Sequence, residues 1–386
     1  LEAEREQAEQ VLTECPALLE GTGWSWEFPE PAEALSALEQ LHALGERVQL
    51  DWPQGRRITL SEELSLSRLQ VRVRQQGDWF DIAGDLRLDD GRVIAMRELI
   101  ERSAEANGRY VRLGEGDVLV LSGALRRRLQ GLAGAIDDGR FHPLAAPAVH
   151  ELIDGMQLEA AQEWDALLAR LDQIQAIEPA LPSTLQAELR DYQIDGYRWL
   201  ARLAHWGAGA CLADDMGLGK TLQALALIVS RAPEGPTLVL APTSVCGNWI
   251  AEAARFAPTL QPKRFGDGER GAMLDAAGPF DLIVCSYGLL QSERERLSQV
   301  EWQTIVADEA QAFKNAMTKR SQAIMSLKGR FRMITTGTPI ENHLGELWNL
   351  FRFINPGLLG SLQRFNKRFA GPIEQDKDQG ARQRLR

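Results

Sequence analysis

The sequence predicts an α/β chain: a doubly wound parallel sheet over the second half, preceded by an α+β region and a helical connection. Three features carry that prediction. The apolar run Ala208 to Ala213 leads through Gly217-Leu218-Gly219-Lys220-Thr221 into the amphipathic stretch Leu222 to Ser230, which is the pattern of strand, tight loop and helix. Trp302 to Ala307 reads as a short buried strand and runs directly into two acids, Asp308 and Glu309. Leu69 to Arg74 and Trp79 to Leu88 instead alternate apolar and polar residues, as half-buried strands of a different sheet do.

In chain order, Glu2 to Glu20 and Pro31 to Leu44 have helical spacing, whereas Val48 to Trp52 alternates like a strand. Val93 to Ser103 looks helical, and Tyr110 to Leu113 and Val118 to Leu121 look like strands joined by the turn at 114–117. Together these predict an α+β domain over 1–122. From Ala124 to Ile174 the spacing is mostly helical, with breaks around Gly139 and Pro143, and Trp164, Leu167, Leu168 and Leu171 share one face. Pro179 and Pro182 mark a linker, so 123–182 reads as a connector. Asp89-Asp90 and Asp137-Asp138 sit beside glycine and read as turns, not metal ligands. Trp24, Trp26, Trp52 and Trp79 read as packing residues before they read as a recognition surface.

The loop at 214–221 has the chemistry of a phosphate cradle. Gly217 and Gly219 let backbone N–H groups close around phosphate oxygens, Lys220 can reach the β- and γ-phosphates, and the Thr221 hydroxyl is placed for Mg²⁺. Asp214 stands where the strict phosphate-loop pattern has its first glycine. Of the acid pair, the first suits Mg²⁺ and the second suits polarising an attacking water.

Composition narrows the class. No apolar run approaches the roughly 20 residues that cross a bilayer, and no signal-peptide pattern opens the chain, so a soluble cytoplasmic protein is expected. The four cysteines, Cys15, Cys211, Cys246 and Cys285, form no C-x-x-C pair, and the five histidines show no ligand spacing. Residues 1–180 hold eighteen Arg, no Lys and thirty-three acids, a balance of −15, while 181–386 carry +4. An acidic first half argues against its gripping DNA and suggests a protein partner. Lys314, Lys319, Arg320, Lys328, Arg330 and Arg332, with Arg364, Lys367 and Arg368, read as a solvated helix face.

The motifs have a recognisable order: Leu189-Arg190-Asp191-Tyr192-Gln193, then Asp214 to Thr221, Leu240-Ala241-Pro242-Thr243-Ser244 with Asn248-Trp249, Ser286-Tyr287-Gly288, Asp308 to Gln311 with Lys314-Asn315, and Thr336 to Asn342. In that order they resemble the first, RecA-like motor lobe of the SWI/SNF-type ATPases of helicase superfamily two, in a bacterial or archaeal form, over about residues 185–372. Asp214 agrees with that family. The resemblance implies ATP and Mg²⁺ as cofactors, with Arg190, Tyr192 and Gln193 framing adenine and Asp215, Gly217, Leu218, Gly219, Lys220 and Thr221 holding phosphate. It also implies Thr221 and Asp308 on Mg²⁺ and Lys220, Asp308 and Glu309 in catalysis. Pro242, Thr243, Ser244 and Asn248 would grip a DNA backbone, and Gln311, Thr336, Gly337, Thr338 and Pro339 would couple nucleotide state to that grip.

On this reading 183–355 is motor lobe 1 and 356–386 begins a helical insertion towards a second lobe. That lobe would bring the arginine fingers, so a fragment ending at Arg386 is expected to hydrolyse ATP weakly. The whole protein would translocate on double-stranded DNA, near the nucleoid, and remodel protein–DNA complexes. A strand-separating helicase and a non-hydrolysing nucleotide-dependent scaffold are the alternatives. The first half resembles, more weakly, an accessory region of bacterial members.

Overall fold

The computed structural model describes residues 2–18, 25–53, 57–77, 79–106, 108–114 and 116–385. Two compact units divide the chain, Leu1–Asp165 and Ala166–Arg386. Trp24, Leu19, Glu20 and Glu115 lie outside the described residues.

The first unit opens with helices α1 (Glu2–Glu14) and α2 (Pro31–Ala43). Strand β1 (Thr59–Leu64) pairs in parallel with β6 (Asp117–Leu121), and β6 pairs antiparallel with β5 (Tyr110–Arg112). A second sheet joins β2 (Leu69–Gln76), β3 (Trp79–Arg87) and β4 (Val93–Ala95), with β7 (Arg140–Phe141) on β3 and β8 (Gln157–Ala160) on β2. Helices α3 (Met96–Glu105), α4 (Gly123–Ala135), α5 (Ala146–Ile153) and α6 (Gln162–Ala176) complete this part of the chain. Strict alternation along β2 and β3 buries Val71, Val73, Phe80 and Ile82. Phe80 lies 5.6 Å from Phe141, and Trp164 sits edge-on to both at 5.7 Å.

Three sequence expectations change here. Val48 to Trp52 forms no strand: the stretch ends at Pro53, which has no N–H to give a ladder, and no described strand pairs with it. The strand at that level of the sequence is β1, whose adjacent Glu62 and Glu63 and bulged pairing hide its period. Val93-Ile94-Ala95 is a strand and not the first turn of a helix, because it completes the ladder against Arg87 to Asp85. The connector at 123–182 is helical in α4, α5 and α6, yet it also supplies β7 and β8, which are too short to show a period of two. The turn reading of the acid pairs is seen directly. Asp138 (φ 53°) and Gly139 (φ 75°) form a two-residue hairpin turn closed by Asp137 and Arg140. Trp26, Trp52 and Trp79 are all half-buried.

In the second unit, α7 (Asp191–Trp206), β9 (Ala210–Leu212), α8 (Lys220–Arg231), β10 (Thr237–Ala241), α9 (Thr243–Phe256), β11 (Gln261–Arg264), α10 (Arg270–Asp275) and β12 (Asp281–Ser286) follow in turn. Then come α11 (Tyr287–Ser292), α12 (Arg294–Leu297), β13 (Glu301–Asp308), α13 (Lys319–Met325), β14 (Lys328–Thr335) and α14 (Leu344–Ile354), with short helices over 362–385. The six strands run in the order β11-β12-β10-β13-β14-β9, and each described pair is parallel. Helices cover both faces, so the central strands are buried on both and mostly apolar. Leu238, Leu240, Ile283, Cys285, Ile305 and Ala307 enter one core, and Val239, Ala241, Leu282, Val284 and Val306 enter the other. Full burial of each large aliphatic chain contributes about 1.5–3 kcal/mol.

Asn355, just past α14, clamps the start of β9. Its Oδ1 accepts the Gly209 N–H at 2.7 Å and its Nδ2 donates to the Gly209 carbonyl at 3.2 Å. A Cβ at Gly209 would lie 2.2 Å from the Ile354 carbonyl oxygen, so only glycine fits this approach. The basic residues after the acid pair do not share one face. Arg332 donates to the carbonyls of Phe353 and Leu327, Arg320 donates to Ala312, Lys328 pairs with Glu301, and Lys314 is tied to Glu341 and Glu346.

Candidate nucleotide site

Register brings the sequence-predicted residues to one end of the parallel sheet. Leu212, the last residue of β9, pairs with Thr335, and Thr335 pairs with Asp308. Two strands further along, Ala241 pairs with Ser286. The loop at 213–219, the acid pair and the loops after β10, β12 and β14 therefore leave the carboxyl edge together, where ligands of such sheets bind.

In the loop, Gly217 (φ 85°) and Gly219 (φ 74°) adopt conformations that other residues avoid. Lys220 begins the twelve-residue α8, whose first-turn N–H groups have no intrahelical acceptors. The Lys220 ammonium folds back and donates to the carbonyls of Asp214 at 2.7 Å and Asp215 at 3.0 Å. Both acceptors are neutral, so an anionic phosphate would compete well for that cation. Thr221 is half-buried beside it. Asp214 has a specific use: its carboxylate accepts from Gln223 Nε2 at 3.1 Å, fastening the loop to α8. Gly196 on α7 leaves room for that amide, since a Cβ there would lie 1.9 Å from Gln223 Oε1.

Gln193 is buried at 7% exposure and joins the start of α7 to the loop. Its Oε1 accepts the Arg190 backbone N–H at 3.0 Å, and its Nε2 donates to the Leu218 carbonyl at 3.1 Å. Tyr192 donates its hydroxyl to the same carbonyl at 3.2 Å. A cleft of about 610 Å³ opens here, lined by Tyr192, Asp195, Trp199, Cys211, Asp214 and Leu218.

Asp308 is held by three donors. Oδ1 accepts the Glu309 N–H at 3.0 Å and the Thr335 hydroxyl, while Oδ2 accepts the indole N–H of Trp249 at 2.8 Å. The buried Tyr287 donates to the Asp308 carbonyl at 2.8 Å. Burial, reinforced by the charge of Asp308, pushes that phenol well above its ordinary value, so it remains a donor. Glu309 has φ 50°, an uncommon conformation for a residue with a side chain, and the strain turns it away from the strand direction.

From Glu309 a chain of contacts runs into the loop after β14. Gln311 Nε2 donates to Glu309 Oε2 at 2.6 Å, Thr336 Oγ1 donates to Gln311 Oε1 at 3.0 Å, and the Thr338 N–H donates to Thr336 Oγ1 at 3.1 Å. Thr338 Oγ1 then donates to Glu341 at 2.8 Å, and Lys314 pairs with Glu341. Beneath it, buried Glu346 accepts the N–H groups of Glu341 at 2.8 Å and Asn342 at 3.2 Å. Gly337 faces Met216 across the loop, whose Cγ would be 3.2 Å from a Cβ there.

The remaining predicted residues lie at the same edge. Pro242 caps α9, and Thr243, Ser244 and Asn248 are exposed on its first turns. Arg190 and Asp215 are exposed, and Pro339 is half-buried. Residues that sequence reasoning did not assign to the site are Gln223, Trp249, Tyr287, Thr335 and Glu346. Trp249 and Tyr287 fall inside motifs, but their contacts with Asp308 span 59 and 21 residues of sequence.

A family described as "SNF2-related domain" matches residues 192–386. "Putative ATP-dependent helicase/translocase YwqA" of Bacillus subtilis is 37% identical over 330 residues, 83% of this chain and 33% of that protein. "ISWI chromatin-remodeling complex ATPase CHR11" of Arabidopsis thaliana is 37% identical over 211 residues, 52% of this chain and 20% of that protein. Among solved structures, "Sulfolobus solfataricus SWI2/SNF2 ATPase core in complex with dsDNA" is similar at 42% identity and a TM-score of 0.51, covering 54% of this chain and 44% of that one. The chain thus spans about a third of the Bacillus relative's length.

Proposed function

Because the chain belongs to the SNF2-related domain family, we propose that it carries the ATP-binding lobe of a DNA-dependent ATPase that moves along duplex DNA and remodels protein–DNA complexes. The observation that supports this most is the register of Leu212, Thr335 and Asp308, which sets a phosphate loop and an acid pair side by side at one sheet edge.

In this reading the Lys220 ammonium exchanges its two loop carbonyls for phosphate oxygens, and the glycine-shaped loop with the α8 N-terminus cradles them. Thr221 and Asp308 would hold Mg²⁺, which neutralises charge on the phosphates when bound. Oδ1 of Asp308 already accepts two donors, while Oδ2 accepts one and keeps a lone pair, so the arrangement fits that ion through Oδ2. Glu309, anchored through Gln311, orients the attacking water. Gln193 uses one amide N–H on Leu218, which leaves its second for the adenine edge. The chain Glu309–Gln311–Thr336–Thr338 couples that water site to the loop after β14. Pro242, Thr243, Ser244 and Asn248, at the exposed start of α9, would meet a DNA backbone through hydroxyls and N–H groups without reading sequence.

The acidic first region would regulate the motor or dock a protein partner. Its extent of similarity supports a role tied to the bacterial form: the match to YwqA covers 330 residues and so reaches beyond the second unit, whereas the match to CHR11 covers 211.

The test is steady-state ATP hydrolysis by the full-length natural polypeptide without DNA, with single strands and with duplex, using Glu309→Gln as control. Stimulation by duplex that the variant loses is the expected result. Equal stimulation by single strands alone would favour a strand-separating enzyme, and no stimulation by any DNA would refute the proposal.

A further inference from the structure

Trp249 stands out among the large buried indoles of the chain. Trp302 donates its N–H to the carbonyl of Leu297, five residues away, and Trp164 has no hydrogen-bond partner among the described residues. Trp249, at 1% exposure, instead directs its N–H across the sheet edge to the carboxylate of Asp308. Packing alone does not require this, since phenylalanine would fill much of the same volume without a polar atom. The carboxylate is thereby held from two sides: Thr335 and the Glu309 N–H fix Oδ1 from its own sheet, and α9 fixes Oδ2 from outside. Tyr287 reaches only the main-chain carbonyl, so it steadies the strand end and not the carboxylate plane.

We infer that Trp249 is a positioning residue that ties the orientation of the Asp308 carboxylate to the placement of α9. The inference rests on the nucleotide and DNA reading above and adds a second link to it. The Gln311–Thr336 chain runs from Glu309 into the loop after β14. The Trp249 link runs from Asp308 into the helix whose first residues, Thr243 and Ser244, are exposed at the same edge. Because α9 is one hydrogen-bonded body of fourteen residues, a shift at its first turn carries the indole with it. A backbone gripped at Thr243 and Ser244 would therefore be registered at the carboxylate that would hold the metal.

The test replaces Trp249 by benzothienylalanine, which keeps the indole shape and puts sulfur in place of N–H, with Trp249→Phe beside it. The readout is binding of a fluorescent ADP analogue as Mg²⁺ is titrated, together with the indole N–H resonance of Trp249 in the unaltered chain. The isostere should need about tenfold more Mg²⁺ for the same nucleotide binding, as expected for one hydrogen bond to a charged group, while binding in EDTA is unchanged. The Trp249 resonance should move when short duplex DNA is added to the nucleotide-loaded chain. An isostere with unaltered Mg²⁺ dependence, or a resonance indifferent to duplex, overturns the inference alone. Absence of Mg²⁺-dependent nucleotide binding by the unaltered chain would overturn the nucleotide reading and this inference with it.

Discussion

Trp164 and Trp249 are equally sealed from solvent, at 0% and 1% exposure, yet the two units use them differently. In the first, Trp164 packs edge-on to Phe80 and Phe141 with its N–H unpartnered among the described residues. In the second, Trp249 is bonded to a buried acid. The contrast extends to whole units. Among the described residues, Ser103 is the single buried polar side chain of the first unit, and the other thirteen, from Gln193 to Asn355, belong to the second. The first unit keeps its charges on the surface, in pairs such as Arg72–Asp85 and Arg97–Asp138. Burying a polar group costs free energy unless it is matched, so a fold that buries many has had them placed one by one. That difference sets the second unit, which carries the candidate site, apart from the first.

The largest effect that sharpens the contrast is expected at Lys220. Lys220→Ala removes an ammonium that, among the described residues, bonds to two carbonyls of its own loop, so the fold should lose little. Phosphate would lose its charged partner, and ATP affinity should fall about 100-fold, the equivalent of one or two hydrogen bonds to a charged group. Equilibrium titration with a fluorescent nucleotide checks this. Unchanged affinity would remove the nucleotide site from the second unit.

Glu346 tests the buried polar network itself. Burial alone would raise its carboxyl, but the N–H of Glu341, the side chain and N–H of Asn342, and Lys314 outweigh it and hold the group down at about 2, from 4.5. A depressed acid stabilises the fold while it is charged, so the contribution is full above pH 4.5 and is lost as pH falls towards 2. The span corresponds to about 3 kcal/mol. Glu346→Gln should therefore be destabilised by up to about that amount at neutral pH, and chemical denaturation of the two proteins should converge below pH 4.5. A constant difference down to pH 2 would mean that the carboxylate charge does nothing there.

Much of this was legible in the sequence, and what was not had physical causes. The loop at 214–221, the acid pair and their sheet were readable because each sits where an apolar strand stops, a local signal. The doubly wound parallel sheet followed from the strand, tight loop and helix pattern together with the family that the motif order resembles. The network around Glu346 and the Trp249–Asp308 bond were not readable, because they join residues that only the sheet register brings together. In the first unit, β2 and β3 showed their period over eight and nine residues, whereas β7 and β8, at two and four residues, have none to show. β1 was concealed by a bulge and two adjacent acids.

Smaller effects are expected in the first unit. Trp164→Phe removes ring volume but breaks no hydrogen bond, because the N–H has none among the described residues. Its cost should be about 1–2 kcal/mol, that of a partly refilled cavity. Thermal unfolding should show a modest shift with no dependence on nucleotide. A shift that grew when nucleotide was added would mean that the first unit senses the site.

The smallest effect is expected at Arg72–Asp85, a 2.6 Å pair on neighbouring strands whose side chains remain about one-third exposed. Water screens both charges, and two flexible groups must be held for one contact, so the pair should couple only weakly. A double-mutant cycle with Arg72→Ala and Asp85→Ala measures it directly, and salt at about 1 M should erase most of what is found. A strong coupling that survives salt would show that the surface pairs of the first unit are organised as tightly as the buried groups of the second. The contrast between the units would then lie in where their charges sit and not in how strongly those charges are held.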